Sequence, residues 1–172
     1  MIWHLDREHS RIEFSVQHLL ESTVRGRFEA FDADIELDME APRRSRVRAT
    51  IDARSLRTDN VDRDADLRSA AFLDVERFPT IDFESRQVAR LGEHGVWVRG
   101  DLTIRGTTRE VVLDGNVRGP VGDDGAVVLE CVLVVGIDPR EYLNGAPELL
   151  NLFVGRTVLI TITARLTEGA KA

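Results

Sequence analysis

Cysteine occurs once in 172 residues, as Cys131. An intramolecular disulfide is therefore excluded, and so is a cysteine-based metal cluster. Set within Val128-Leu129-Glu130-Cys131-Val132-Leu133, this residue reads as a small core hydrophobe. Cationic excess is also missing. Lys+Arg total 23 against 30 for Asp+Glu, giving a net charge of −7 and a pI near 5.2. A nucleic-acid partner needs a basic footprint to displace phosphate counterions, and docking on anionic lipid needs the same, so neither is expected. No window approaches the run of about 18 apolar residues that spans a bilayer, so no integral membrane segment is expected. The start, Met1-Ile2-Trp3-His4-Leu5-Asp6, has no basic stretch leading into an apolar one. The expectation is a cytoplasmic protein without a secretory leader.

Catalytic signatures are equally scarce. There is no Gly-rich phosphate loop, no Gly-x-Ser-x-Gly elbow and no His-Glu-x-x-His. The histidines are His4, His9, His18 and His94. The spacing of the first three fits no ligand motif, so no metal and no cofactor is expected. His9 and His18 read instead as polar residues at strand ends, hydrogen-bonded to backbone.

What the chain does have is a period-two rhythm in an ordinary globular composition, 42% apolar and 31% charged. At roughly 150 residues per domain, residues 1–172 read as one domain. Arg46 to Ala53 is the cleanest case, with Val47, Ala49, Ile51 and Ala53 on one side and Arg46, Arg48, Thr50 and Asp52 on the other. Similar alternation runs through 9–18, 80–85, 96–104, 109–117 and 157–164, each predicting a strand with one buried and one wet face. In 26–37, Phe28 has the opposite parity to Phe31, Ile35 and Leu37, which a β-bulge would reconcile. Residues 126–137 are apolar at both parities, so both faces are expected to be covered. Short turns such as Arg105-Gly106-Thr107 and Asp123-Asp124-Gly125 favour an antiparallel meander.

One connection is helical. Asn60 is the expected N-cap, Asp62 and Asp64 favour the helix N-terminus, and Leu67, Ala70 and Ala71 form a small apolar stripe. A second helical turn is expected around 147–152. Arg63 or Arg68 either meets a ligand phosphate at the barrel mouth or ties the helix to the rim, and the tie is preferred. Leu67, Phe72, Leu73, Val75 and Phe78 crowd this connection, so it either plugs the structure or roofs a tunnel. With eight or nine strands on one chain, closure leaves no unpaired edge. The fold class expected is therefore all-β: a single antiparallel barrel of about eight strands with one or two short helices, with a two-sheet sandwich as the alternative.

The run Arg63-Asp64-Ala65-Asp66-Leu67-Arg68-Ser69-Ala70-Ala71-Phe72-Leu73-Asp74-Val75-Glu76-Arg77-Phe78-Pro79-Thr80-Ile81-Asp82-Phe83-Glu84-Ser85 resembles the signature of the YceI-like polyisoprenoid-binding family. Gly100-Asp101-Leu102-Thr103-Ile104-Arg105-Gly106-Thr107-Thr108 is similar to another of its motifs. His9-Ser10 with Ile12, Phe14, Val16 and His18 looks like its first strand, and Gly26-Arg27-Phe28 with Phe31 like its second. The resemblance runs from about Trp3 to Leu166. It implies a lipocalin-like barrel around a hydrophobic tunnel that takes an isoprenoid chain, such as a polyprenyl phosphate or a quinone tail, and it implies no catalytic residues. Two positions depart from the family pattern. Asp66 stands where the family commonly has His. Arg140-Glu141-Tyr142-Leu143 replaces an Arg followed closely by Phe-Gly, which implies a rebuilt loop over 139–147 and, if that loop lines the tunnel mouth, a different head group.

On this reading the tunnel wall comes from the inward parities: Phe14, Val16, Phe28, Phe31, Ile35, Val47, Ile51, Phe83, Val98, Leu102, Ile104, Leu113 and Ile160. Leu67, Phe72 and Phe78 form the roof. The function expected is non-catalytic binding of an isoprenoid-type lipid. The alternatives are an enzyme using His9, His18 or Asp66 on a small hydrophobic substrate, and a filled barrel acting in stress response or interaction. Trp97, outward on its strand, is the candidate contact for a homodimer.

Overall fold

A computed structural model describes residues 1–17, 23–123, 125–143 and 157–169. Ten strands run in chain order: β1 (Ile2–Gln17), β2 (Thr23–Phe28), β3 (Phe31–Glu36), β4 (Arg46–Asp52), β5 (Leu56–Arg57), β6 (Thr80–Leu91), β7 (Gly95–Ile104), β8 (Thr107–Asp123), β9 (Ala126–Ile137) and β10 (Val158–Glu168). The α-helix among the described residues is α1 (Val61–Arg68), between β5 and β6. It is not long and apolar enough to cross a membrane. His18 and the helical turn expected at 147–152 lie outside the described residues.

The sheet runs β3-β4-β6-β7-β8-β9-β10 as an antiparallel meander and closes where β10 pairs with β1, from Trp3–Glu168 to Val16–Val158. β1, β3, β4 and β6 to β10 form the closed wall, while β2 and β5 extend it at the α1 end. Closure follows from the alternation. Each strand buries one face, and only a sheet that meets itself can bury those faces together without exposing an edge. The wet face is laced by cross-strand pairs such as Arg48–Glu84 at 3.0 Å, each exposed and worth roughly 0.2–1 kcal/mol. Between β7 and β8 the chain reverses at Arg105 and Gly106, with φ of 48° and 71°. Two successive positive φ values match the right-handed twist of the flanking strands.

Several expectations are corrected. The parity change at Phe28 is a break at Glu29–Ala30 that separates β2 from β3, where a bulge was expected. The break is held from outside, with the Glu29 N–H donating to the Ser55 carbonyl and the Ala30 N–H to Ser55 Oγ at 3.0 Å. From Leu129 to Ile137, β9 is covered on one face: Leu129 and Val135 are buried inward, whereas outward Val132 is 45% exposed; at its start, Val128 is buried on the outer parity as well. Helix α1 ends at Arg68, so Ala70 is exposed rather than part of an apolar stripe. Trp97 lies on the outer wall between Ala89 and Asp114 and is half-buried. His9 is not at a strand end but inside β1, and its Nδ1 bonds the Asp6 carboxylate at 2.8 Å.

That stretch of β1 is the least zipped part of the wall. Its ladder with β3 holds Ile2–Glu36 and Trp3–Ile35, and pairing with β2 starts only at Ile12–Phe28. On its other edge the register with β10 shifts between Asp6 and Arg11. Side chains substitute for the missing ladder bonds: the Arg165 N–H donates to Ser10 Oγ at 3.0 Å and the Ala33 N–H to Asp32 Oδ1 at 2.9 Å. The exposed ion pair Arg7–Asp32, at 2.6 Å, crosses the seam. Amide hydrogen exchange should therefore find Arg7 to His9 and Ala33 opening well before the central residues of β8 and β9. Equal protection across all these strands would contradict the seam.

Candidate functional site

The inward faces surround a cavity of about 700 Å³, within the range of roughly 300–1,000 Å³ typical of ligand pockets. Every sequence candidate but Phe78 stands in its wall: Phe14, Val16, Phe28, Phe31, Ile35, Val47, Ile51, Leu67, Phe72, Phe83, Val98, Leu102, Ile104, Leu113 and Ile160. Phe78 is the correction. The chain turns outward after Val75, and the Phe78 ring lies against the Arg105–Gly106 turn instead of the lumen. A Cβ built on Gly106 would sit 2.8 Å from Phe78 Cε1, and the Arg77 guanidinium stacks 5.3 Å from the ring centroid.

Aromatic rings shape the wall through small neighbours. Phe14 and Phe28 pack with centroids 5.6 Å apart. Phe14 can lie flat because β2 carries Gly26 beneath it, where a Cβ would come within 2.2 Å of Phe14 Cζ. Gly100 plays the same part for Phe83. These rings rest on the sheet rather than reaching across it, so the lumen stays open.

Much of the wall was missed by sequence reasoning. Leu129, Cys131, Leu133, Val135 and Ile137 form an inward row on β9, masked by the apolar residues at the other parity. Pro139, Tyr142 and Leu143, in the turn that follows β9, also line the cavity. The signal there was the lone tyrosine of the chain, placed just after Asp138-Pro139. Burial pushes the Cys131 thiol up to about 11, partly opposed by a backbone hydrogen bond at Ala164.

Charge is confined to the ends and the seam. Arg11, Asp32 and Asp66 touch the cavity but are exposed, and Arg63 and Arg90 are half-exposed. No histidine contributes to the cavity wall among the described residues, and His9 and Asp66 are not brought together. An ion deep in such a lumen would lose its hydration without compensation, so the rim is where charge can persist.

Helix α1 closes one end with Leu67 and, just beyond it, Phe72 and Leu73. It is fastened through Thr58, itself buried. The Asp64 carboxylate accepts from the Thr58 N–H at 2.8 Å and from Thr58 Oγ1 at 2.5 Å. Arg63 Nε donates to Thr58 Oγ1 at 2.9 Å and its Nη2 to the Thr58 carbonyl at 2.7 Å. Adjacent helical residues cannot face each other, yet both grip one threonine because the loop passes beneath the first turn. Arg68 Nη2 donates to the Leu56 carbonyl. Both arginines thus tie the helix to the rim, the preferred sequence reading.

A closed up-and-down barrel with an oily lumen and a helical cover defines a lipocalin-like binding architecture. This chain belongs to the YceI-like domain family, whose model matches residues 3–166. It is 40% identical over 116 residues to a UPF0312 protein of Serratia proteamaculans, a match covering 67% of this chain and 60% of that relative. It is 37% identical over 122 residues to Protein YceI of Salmonella newport, covering 70% and 63%. The matches thus span about three fifths of these relatives' length. Among solved structures, a YCEI protein of Campylobacter jejuni superposes with a TM-score of 0.78 at 25% identity over 89% of this chain and 90% of that one. A polyisoprenoid binding domain from Saccharophagus degradans superposes at 0.74 with 16% identity, over 97% and 98%, a likeness of fold.

Two outcomes follow. Asp64→Ala strands the buried Thr58 N–H and should lower stability by about 2–3 kcal/mol, read as an earlier urea midpoint at unchanged slope, while exposed Asp62→Ala should stay within about 0.5 kcal/mol. Cys131 should resist iodoacetamide in the native protein at pH 8, where its thiolate fraction is on the order of one part in a thousand. Intact-mass kinetics should show the rate rising about tenfold per pH unit toward pH 11; a plateau near pH 9 would contradict the buried thiol.

Proposed function

We propose that this protein is a non-catalytic binding protein for an isoprenoid-type lipid, a polyprenyl phosphate or quinone tail, held lengthwise in the barrel. The observation that carries this reading is the roughly 700 Å³ cavity, walled mostly by hydrocarbon with charge only where it meets solvent. Burying a five-carbon prenyl unit is worth roughly 3–4 kcal/mol gross, at about 0.8 kcal/mol per carbon. Association and ordering cost roughly 4–15 kcal/mol. Several units in a preformed tunnel therefore reach useful affinity with few polar contacts. A straight hydrocarbon chain gains by the same arithmetic. The preference for an isoprenoid is supported by the family and by the neighbour described as a polyisoprenoid binding domain.

The lumen does not favour the enzyme alternative, which needs polar groups converging on a substrate, nor the filled barrel, which needs side chains meeting across the lumen. Native mass spectrometry of protein expressed in bacteria, followed by organic extraction, should reveal a co-purifying prenyl lipid. Val98→Arg places a guanidinium on the buried wall and should abolish that mass shift while circular dichroism still reports a folded barrel. Ile160→Trp, an apolar filler, should weaken binding should the arginine variant fail to fold. Undiminished binding in both folded variants would remove the cavity as the site.

A further inference from the structure

We propose that the Tyr142 hydroxyl is the polar anchor of the cavity, donating a hydrogen bond to a neutral acceptor oxygen (alcohol, ether or carbonyl) on the guest. This rests on the chain-binding reading above and adds the chemistry of the guest's polar group.

Tyr142 is 2% exposed and stands in the cavity wall beside Pro139 and Leu143. Its hydroxyl is buried and has no hydrogen-bond partner among the described residues. Trp3 Nε1 is also unpartnered, but Trp3 lies outside the cavity wall. A buried hydroxyl left in that condition is destabilising, and phenylalanine would fill the same shape without the cost. Among the described residues, the fold makes no use of the group. Tyr142 is positioned by backbone, its N–H donating to the Pro139 carbonyl at 3.1 Å and that of Leu143 to the same carbonyl at 2.9 Å. The turn is capped by Asp138, which accepts from the Arg140 N–H at 2.9 Å and from Arg140 Nη2 at 2.6 Å. Arg140 is thereby paired with Asp138 on the exposed side of the turn and does not line the cavity. Burial pushes the phenol up to about 12, with Glu141 adding to the rise and Arg109 opposing it. The group therefore keeps its proton at physiological pH and has an O–H to donate, which an acceptor atom on the guest would satisfy.

The test compares two C20 prenyl probes, geranylgeraniol and the matching hydrocarbon without oxygen, in wild-type protein and in Tyr142→Phe, with geranylgeranyl monophosphate as an anionic control. The variant should lose about five- to tenfold in affinity for the alcohol and stay within twofold for the hydrocarbon. Without a guest, its unfolding midpoint should equal or exceed that of wild type, because an unpartnered buried hydroxyl has been removed. Three results would overturn the anchor: equal losses for both probes, no loss for the alcohol, or a lowered guest-free midpoint. A loss confined to geranylgeranyl monophosphate would assign the hydroxyl to an anion and overturn the neutral acceptor. Wild-type protein that takes neither probe would remove the chain-binding reading itself, and the anchor with it.

Discussion

The pairing of β10 with β1 is the constraint on which the rest depends. Once the first and last strands are zipped, every inward side chain must face the lumen, whatever its partners. Eight strands set a lumen just wide enough for side chains to fill it or for one slim guest to lie between them. Which of these occurs is decided by where the bulk lies. Here Phe14 and Phe83 rest over Gly26 and Gly100, so their volume is spent against the wall. The core accordingly splits into two clusters, one beneath α1 around Phe83, Val98 and Leu102, the other at the far end around Trp3, Ile35 and Leu129.

Such a wall forgoes some of the dispersion contacts that a close-packed interior would make, because it encloses a cavity of about 700 Å³. The fold compensates at the rims. The Thr58 knot fixes the roof with hydrogen bonds to two charged groups, stronger than neutral ones and sheltered from water. At the opposite extreme, the seam between β1 and β3 relies on an exposed ion pair, worth little and weakened by salt. Arg11 and Asp32 both touch the cavity along this seam. The lumen therefore approaches solvent where the ladder is thinnest, a juxtaposition that a fully zipped barrel would not allow.

The parts legible in sequence were those where parity and burial obeyed one rule. β4, β7 and the first half of β6, before its register shift at Ser85–Gln87, alternate cleanly, so Val47, Ile51, Phe83, Val98 and Leu102 could be placed on the wall from spacing alone. The Asn60 cap and the acidic first turn located α1 because helix starts have local chemistry, and Asn60 Oδ1 does accept from the Arg63 N–H. The illegible parts were set by distant partners. The break at Glu29–Ala30 depends on Ser55, in a turn that the local sequence does not reveal. The β9 row was hidden because valines occupy both parities, and an outer valine such as Val132 is tolerated on a surface that is never wholly polar. Phe78 looked like roof because it is apolar and near Phe72, but the direction of the turn after Val75 is a tertiary outcome.

A wall built to leave room couples the guest to the fold. The contacts forgone across the lumen are those an apolar chain would supply, so binding free energy would be added to folding free energy, by about 1.4 kcal/mol for each tenfold excess over Kd. Apolar contact alone, however, fixes neither the depth nor the direction of a chain that slides along a smooth wall. A donor without a partner among the described residues, set into that wall, supplies the missing register, because displacement of the guest in either direction leaves the donor hydroxyl unpaired again. The strength of binding would then come from the length of the lumen and its orientation from one polar atom, a division of labour that a uniformly apolar barrel cannot achieve.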